Sequence, residues 1–299
     1  MPELPEAETI ARGLSPVLTG QIIAGVDVLH PERAVPEGRS FPEGLRGLRI
    51  CGVGRRGKNV VISVEMEEPR YAAAPADRST THGGNGHSPI LRLVVNLGMT
   101  GRLLWNPAPG LSRHPVARFR MAGSGVLVFD DSRRFGLLRL MPVAEWKKWN
   151  RALGPEPLSP GFTARRLEEA LIRSRRPVHS WLLDQGKLAG VGNIYANEAL
   201  FRARIHPGST CESIPRRSVA TLHRDLRRIL RAAIQARGTT LQDYRGSDGA
   251  KGSFSSLLRV YGREAGPCPR CSAPVEKGVL GGRSVFWCPC CQPLFSPGP

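Results

Sequence analysis

Apolar side chains recur at helical spacing near the start of the chain, where Ile10, Leu14, Val17 and Leu18 share one face of a segment that opens at Pro5 and stops at Gly20. This predicts a helix over residues 5–20, with Pro16 kinking or ending it because proline has no N–H to give to the preceding turn. From residue 22 to 143 the period changes. Short apolar runs at Ile22–Leu29, Leu48–Val53, Asn59–Met66, Leu91–Leu97, Ala117–Met121, Val126–Phe129 and Leu137–Met141 are separated by glycine-bearing turns such as Ala122–Gly125. Strands that short and that numerous fit a β-sandwich with the first helix on its flank. Residues 67–89 interrupt the pattern with Ala, Pro, Gly, Ser, Thr and His, and they have little to bury. They read as an inserted surface loop whose His82 and His87 are solvated rather than metal-bound.

Residues 144–160, including Gly154–Pro160, read as a linker, and beyond them the period is helical. Thr163 can cap a helix carrying Leu167, Ala170 and Leu171. Val178–Gln185 and Ile194–Ala203 follow, joined by Gly186–Asn193, and a longer amphipathic helix with Leu222, Leu226, Ile229, Leu230 and Ala233 stops at Gly238. The expectation is an α+β multidomain chain: a sandwich domain at 1–143, a linker at 144–160, a helical domain at 161–258 and a cysteine-bearing module at 259–299. No apolar run approaches the roughly 20 residues that a spanning helix needs. Glu3, Glu6 and Glu8 stand where a secretory leader would need positive charge, so a cytoplasmic location without a membrane partner is expected.

Charge narrows the partner. Lys and Arg number 43 against 25 Asp and Glu, a formal net charge of +18. An excess of that size points to a polyanion, with nucleic acid the leading candidate. The basic side is mostly arginine, whose planar fork suits bidentate phosphate contacts.

Four of the seven cysteines form two short chelating pairs, Cys268 with Cys271 and Cys288 with Cys291. Such pairs on either side of a hairpin-sized stretch let four thiolates close on one Zn2+ ion, whose binding replaces the core that so short a segment cannot build. Cys290 is a competing ligand, but Cys291 restores the two-residue spacing. A closed four-thiolate site is structural. Val279–Trp287 reads as the second half of the hairpin, with Arg283 near its turn.

At the other end, Met1 precedes the small residue Pro2, and removal of the methionine exposes a secondary amine. Such an amine can attack the anomeric carbon of a sugar and form an iminium. An α-amino group titrates near 7.7–8, so part of it is the free base at neutral pH. Glu3 and Glu6 can serve as acid or base beside it, or can simply be acidic residues complementing a helix start.

The opening Met1-Pro-Glu-Leu-Pro-Glu-Ala-Glu-Thr9 resembles that of the formamidopyrimidine-DNA glycosylases. The resemblance continues through Arg55-Arg-Gly-Lys58, Asn96-Leu-Gly-Met-Thr-Gly101, Asp131-Ser-Arg-Arg-Phe-Gly136, Leu153-Gly-Pro-Glu-Pro-Leu158, Gly190-Val-Gly-Asn-Ile-Tyr-Ala-Asn-Glu198, Gly238-Thr-Thr-Leu241, Val260-Tyr-Gly-Arg263 and the four cysteines. It implies a helix-two-turns-helix module and a bifunctional enzyme of base excision repair that acts, as a monomer, on double-stranded DNA containing damaged bases. Pro2 matches the family nucleophile, Glu3 its general acid, Lys58 the lysine of β-elimination and Arg283 the hairpin arginine linked to δ-elimination. Met99, Arg133 and Phe135 match residues that fill the void left by an extruded nucleotide. Glu6, His114, Arg175, Asn193 and Tyr261 match further DNA-contacting positions, and Gly246–Phe254 a loop closing over the everted base.

The sequence departs from the family pattern at Arg175, where lysine is common, at the single His114 where two histidines are frequent, and at Gly186-Lys187. The opening favours the branch that excises 8-oxoguanine and formamidopyrimidines over the endonuclease VIII branch that takes oxidised pyrimidines. A silent damage-binding protein would have lost the nucleophile or the acid, and a general zinc-ribbon transcription factor leaves the amino-terminal motif without a purpose.

Overall fold

The computed structural model describes residues 2–36, 38, 40–66, 91–239, 246–247, 249–250 and 252–297. The loop expected at 67–89, with His82 and His87, lies outside them, as does part of the expected lesion-capping loop. Helix α1 (Leu4–Leu18) begins where the Glu3 N–H donates to Glu6 Oε2 at 2.8 Å, and Pro5 occupies a first-turn position that needs no N–H. Pro16 lies inside the helix, which ends at Leu18.

The sandwich follows as predicted, with short additions. Strands β1 (Ile23–Val28), β6 (Arg102–Trp105), β7 (Pro115–Met121) and β8 (Val126–Asp130) form a four-stranded sheet in the order β1-β7-β8-β6. The second sheet holds β2 (Ala34–Val35), β3 (Leu48–Arg56), β4 (Asn59–Met66), β5 (Leu91–Asn96) and β9 (Leu137–Pro142) in the order β2-β9-β5-β4-β3. The β2 to β9 pairing is parallel and the others are antiparallel. Between the sheets Ile23, Phe41, Val60, Ile62, Val95, Phe119 and Phe129 are packed with Ala7, Ile10, Leu14 and Leu18 of α1. Strands β2 and β6 and the one-turn helix α2 (Ser40–Glu43) have no counterpart among the predicted elements, because two to four residues carry too little periodicity to be read.

The segment expected as linker opens with a helix, α3 (Val143–Ala152). Trp146 and Trp149, with ring centroids 5.2 Å apart, pack with Val61, Val94 and Met141 on the outer face of the five-stranded sheet. The sequence around them is rich in lysine and polar residues, which masks a helix held by one aromatic pair.

The helical half contains α4 (Ala164–Leu171), α5 (Val178–Leu183), α6 (Asn193–Ala203) and α7 (Arg216–Gln235). The Thr163 hydroxyl caps α4, accepting from the Arg166 N–H at 3.3 Å. Their core includes Trp181, Tyr195, Leu200, Leu222, Leu226 and Leu230, and also Leu4 from α1. The first turn of α1 thus belongs to one core and the rest to the other, which fixes the chain start between the two halves.

The C-terminal hairpin is β10 (Glu276–Leu280) and β11 (Arg283–Trp287). Val279 and Leu280 therefore belong to its first strand, a correction to the predicted second half at Val279–Trp287. The turn is Gly281-Gly282, with φ of +56° and +73°, a left-handed pair that glycine adopts without strain and that matches the strand twist. Phe286, Val275, Val260 and the zinc-site residues Cys268 and Cys288 make a small third core with Phe201 of α6. Among the described residues no helix is long and apolar enough to cross a membrane.

Candidate active site

The amino terminus docks into the helical half. The Leu4 N–H donates to the Gly190 carbonyl at 3.0 Å, and Gly190 is left-handed at φ +91° and lies against the Leu4 side chain. Next to it the Glu3 carboxylate accepts from the N–H groups of Gly192 at 2.7 Å and Ile194 at 2.9 Å, at the start of α6. A helix start is where backbone N–H groups and the helix dipole favour a carboxylate. Glu3 is 1% exposed, and burial pushes its pKa up to about 7 against the lowering pull of Lys58. Pro2, buried at the same place, immediately precedes it.

Glu6, expected among DNA contacts, is 1% exposed and fully engaged. It accepts from the N–H of Glu3 at 2.8 Å, the hydroxyl of Tyr195 at 2.6 Å and the N–H of Thr239 at 2.7 Å. Its place here is as a buried tie between α1 and the helical half, a role that nothing in the sequence distinguishes from that of any other first-turn glutamate.

Lys58 sits in the turn between β3 and β4. That turn is held from the linker: Glu156 accepts from Arg55 Nη1 at 2.8 Å, Arg56 Nη1 at 3.0 Å and the Gly57 N–H at 2.7 Å. Two sequence segments far apart in the chain thus build one support. Burial and the nearby Arg283 lower the Lys58 pKa, while Glu3 opposes them.

Lys58 and Arg283 line one cleft of about 320 Å³ with Arg176, His179, Asn193 and the hairpin turn at Gly281. The Asn193 side chain donates from Nδ2 to the Ser284 carbonyl at 2.9 Å, and Asn197 Oδ1 accepts from the Phe286 N–H at 2.7 Å, so α6 clamps β11 behind Arg283. Burial lowers the His179 pKa to about 4, which leaves the ring neutral. With Nε2 donating to Asn193 Oδ1 at 2.9 Å, Nδ1 is the bare acceptor, and it is buried without a partner among the described residues. Tyr261 stacks edge-on against Phe286 with centroids 5.2 Å apart. Sequence reasoning missed His179, Ser180 and Arg176 here, since nothing in their spacing marks them. Arg175, the expected contact, does not line the cleft: its side chain is 90% exposed and lies 3.5 Å from Glu212.

Met99 and the pair Arg133 and Phe135 come from separate loops that one carboxylate unites. Buried Asp131 accepts from the Thr100 hydroxyl, from the Gly136 N–H at 2.7 Å and from the Arg133 N–H at 3.3 Å. Gly98, at φ +56°, lets the Met99 loop lie against the Phe135 backbone, where any Cβ would stand 2.6 Å from it. Phe135 is 54% exposed with the Arg133 guanidinium 4.8 Å above its ring. His114 is exposed, its N–H donating to Asp130 Oδ2 at 2.7 Å.

The four predicted cysteines converge, with all Sγ atoms within 4.8 Å of one another. Sγ separations are 4.0 Å for Cys268 and Cys291, 3.4 Å for Cys271 and Cys288, and 3.5 Å for Cys271 and Cys291. A tetrahedral zinc with bonds of about 2.3 Å puts its sulfurs about 3.8 Å apart, so the set fits one Zn2+. Cys290 is exposed and outside the set.

A β-sandwich and a helical module sharing one amino-terminal helix, with a four-cysteine hairpin carrying an arginine into the cleft beside a buried acid and a lysine, define a zinc-hairpin, nucleic-acid-processing class of enzyme. Residues 1–138 match the formamidopyrimidine-DNA glycosylase N-terminal domain, 153–245 the formamidopyrimidine-DNA glycosylase H2TH domain, and 266–294 the zinc finger found in FPG and IleRS. The chain belongs to the formamidopyrimidine-DNA glycosylase family. It is 40% identical to the formamidopyrimidine-DNA glycosylase of Thermomicrobium roseum, over 98% of this chain and 100% of that one. Among solved structures it is similar to the MutM (Fpg) protein of Thermus thermophilus, at 39% identity and TM-score 0.80, covering 97% of this chain and 98% of the other. It also resembles Lactococcus lactis Fpg in complex with DNA containing an abasic site, at 29% identity and TM-score 0.83, covering 97% and 99%.

Proposed function

We propose that this protein is a bifunctional DNA glycosylase and abasic-site lyase of base excision repair, excising oxidised purines such as 8-oxoguanine and formamidopyrimidines. The observation that carries the reading is the placement of Glu3: a buried acid with a pKa near 7, fixed at the α6 start directly after Pro2 and electrostatically coupled to Lys58. A carboxyl that keeps its proton close to neutral pH is suited to protonating a leaving base or a sugar oxygen.

In this reading Pro2, freed of Met1, attacks C1′ of an extruded nucleotide through its secondary amine. Glu3 supplies the proton as the base leaves and the sugar ring opens, and an iminium forms between Pro2 and C1′. Lys58, whose lowered pKa favours the free amine, takes the C2′ proton for β-elimination. Arg283 binds the flanking phosphate and promotes the δ-elimination that follows. Met99, Arg133 and Phe135 occupy the space vacated in the duplex, with Phe135 as a wedge and Arg133 pairing the orphaned base. Asn193, His114 and Tyr261 lie along the phosphate path. The zinc ion holds the hairpin and leaves the chemistry to the protein. A monomer acting in the cytoplasm, with domains at 1–143, 161–258 and 259–299, completes the proposal.

The test is borohydride trapping on duplex carrying 8-oxoguanine. A covalent complex is expected with the native protein and a sharply reduced yield with Pro2→Gly, which replaces the ring amine by a primary one; undiminished trapping by that variant removes Pro2 from the mechanism.

A further inference from the structure

Helix α6 begins at the catalytic cleft with Asn193 and ends at a second concavity with Ala203. Its 11 residues separate the two sites by about 15 Å at the rise of an α-helix. This second groove, of about 840 Å³, is lined by five arginines, Arg202, Arg204, Arg217, Arg224 and Arg270, and no lining residue is acidic.

Two of its cations are not spent on internal ion pairs. Arg204 and Arg217 are exposed and have no ion pair among the described residues. Arg202 Nε is buried with no hydrogen-bond partner among them. Arg270 is held rigid, donating to the carbonyls of Phe201 at 2.8 Å and Arg202 at 3.0 Å with its guanidinium 4.6 Å from the Phe201 ring. Arg224 has a carboxylate beside it, with Asp225 Oδ1 at 3.3 Å, and Arg202 lies in the field of Glu198 and Asp225. The nearby Glu198 is occupied by the N–H groups of Arg259, Val260 and Tyr261. The first turns of the 20-residue α7 supply Arg217, Ser218 and Thr221, so the positive end of that helix adds to the field. Cys271 and Cys291 also border the groove, and a four-thiolate zinc site carries about two net negative charges. Five guanidiniums exceed what that neutralisation needs.

We propose that this groove docks an acidic segment of a partner protein, a run of carboxylates ending in a bulky apolar side chain. The guanidiniums of Arg204 and Arg217 pair the carboxylates by their planar forks, and Pro293 with the partly buried Phe295 receives the apolar end. Duplex DNA is the competing occupant, and displacement of the peptide by saturating duplex is the outcome that would assign the groove to phosphates instead. A single strand needs exposed aromatic platforms, whereas the groove offers only the partly buried Phe295 ring.

The experiment uses the full zinc-loaded chain and a short fluorescein-labelled peptide of aspartates ending in phenylalanine, read by anisotropy. Binding that weakens with salt is expected, together with a loss of at least about tenfold in the double variant Arg204→Glu, Arg217→Glu. The control pair Arg118→Glu, Arg165→Glu, with the same charge change elsewhere, is expected to bind nearly as the native protein does. Both double variants should still cleave 8-oxoguanine duplex, and saturating duplex should leave the peptide bound. Equal loss in the control pair, displacement of the peptide by duplex, or binding of oligothymidylate in place of the peptide each overturns the proposal. Because cleavage is measured on the same samples, failure of the groove and failure of the glycosylase reading are separable.

Discussion

The Gly192 N–H donates to Glu3 Oε2 at 2.7 Å, joining residues 189 positions apart. The contact exists because residue 192 has no side chain: a Cβ there would stand 2.4 Å from Glu3 Cδ. Its φ of −129° is open to any residue, so alanine at 192 would act through Glu3 rather than through backbone strain. Gly192→Ala is therefore expected to cut base excision by about 100-fold, the scale of an ångström-sized misplacement. Cleavage at a preformed abasic site, which has no base to release, should fall much less. Single-turnover rates on the two substrates check this, and equal losses would show that Glu3 is not the group displaced.

The pKa of Glu3, raised by burial from 4.5 to about 7, has a signed consequence for stability. Between those values the native state holds a proton that the unfolded chain has released, so the Glu3 contribution to stability falls as pH rises through this window. Glu3→Gln cannot ionise. Thermal midpoints of native protein and variant should run together near pH 4.5 and diverge in the variant's favour towards and above pH 7. Parallel curves would place the buried charge elsewhere. Excision by the native enzyme should decline above about pH 7 as the acid loses its proton.

Much of this arrangement is legible in the chain, and the limits have physical causes. Cys268, Cys271, Cys288 and Cys291 are readable because chelation imposes spacing, and α1, α4, α6 and α7 because burial imposes a period. The tie made by Glu6 is not legible in the sequence because its partners, Tyr195 and Thr239, lie about two hundred residues away along the chain and no local pattern encodes such a contact. His179 and Arg176 escape notice for the same reason, while α3 is hidden because two tryptophans, rather than a full apolar face, hold it down.

Zinc removal should act on binding before it acts on the fold. The hairpin core of Phe286, Val275 and Val260 is small and includes two of the cysteine ligands, whereas the sandwich core shares none of these residues. In metal-free protein or in Cys271→Ser, Arg283 loses its rigid support and lesion-duplex affinity should fall at least about tenfold. The β-sandwich melting transition should stay near its native temperature. Unchanged DNA affinity in protein shown to be metal-free would separate the hairpin from DNA recognition.

Phe135 and Phe129 offer a test within one chemical type. Phe129 is fully buried between the sheets, so Phe129→Ala leaves a cavity and should cost about 3–5 kcal/mol of stability. Phe135 is 54% exposed, with the Arg133 guanidinium 4.8 Å from its ring, so Phe135→Ala should cost no more than about 1 kcal/mol. Leaving an aromatic ring so exposed has a purpose if it wedges into the duplex, where unstacking a base step requires an apolar group from outside. Phe135→Ala should then lose lesion excision while keeping its melting temperature and its cleavage of single-stranded abasic DNA, in which no stack has to be opened. Chemical denaturation and excision assays on duplex and single-stranded substrates distinguish the cases. A variant that unfolds early, or that excises from duplex at the native rate, would return Phe135 to an ordinary surface residue.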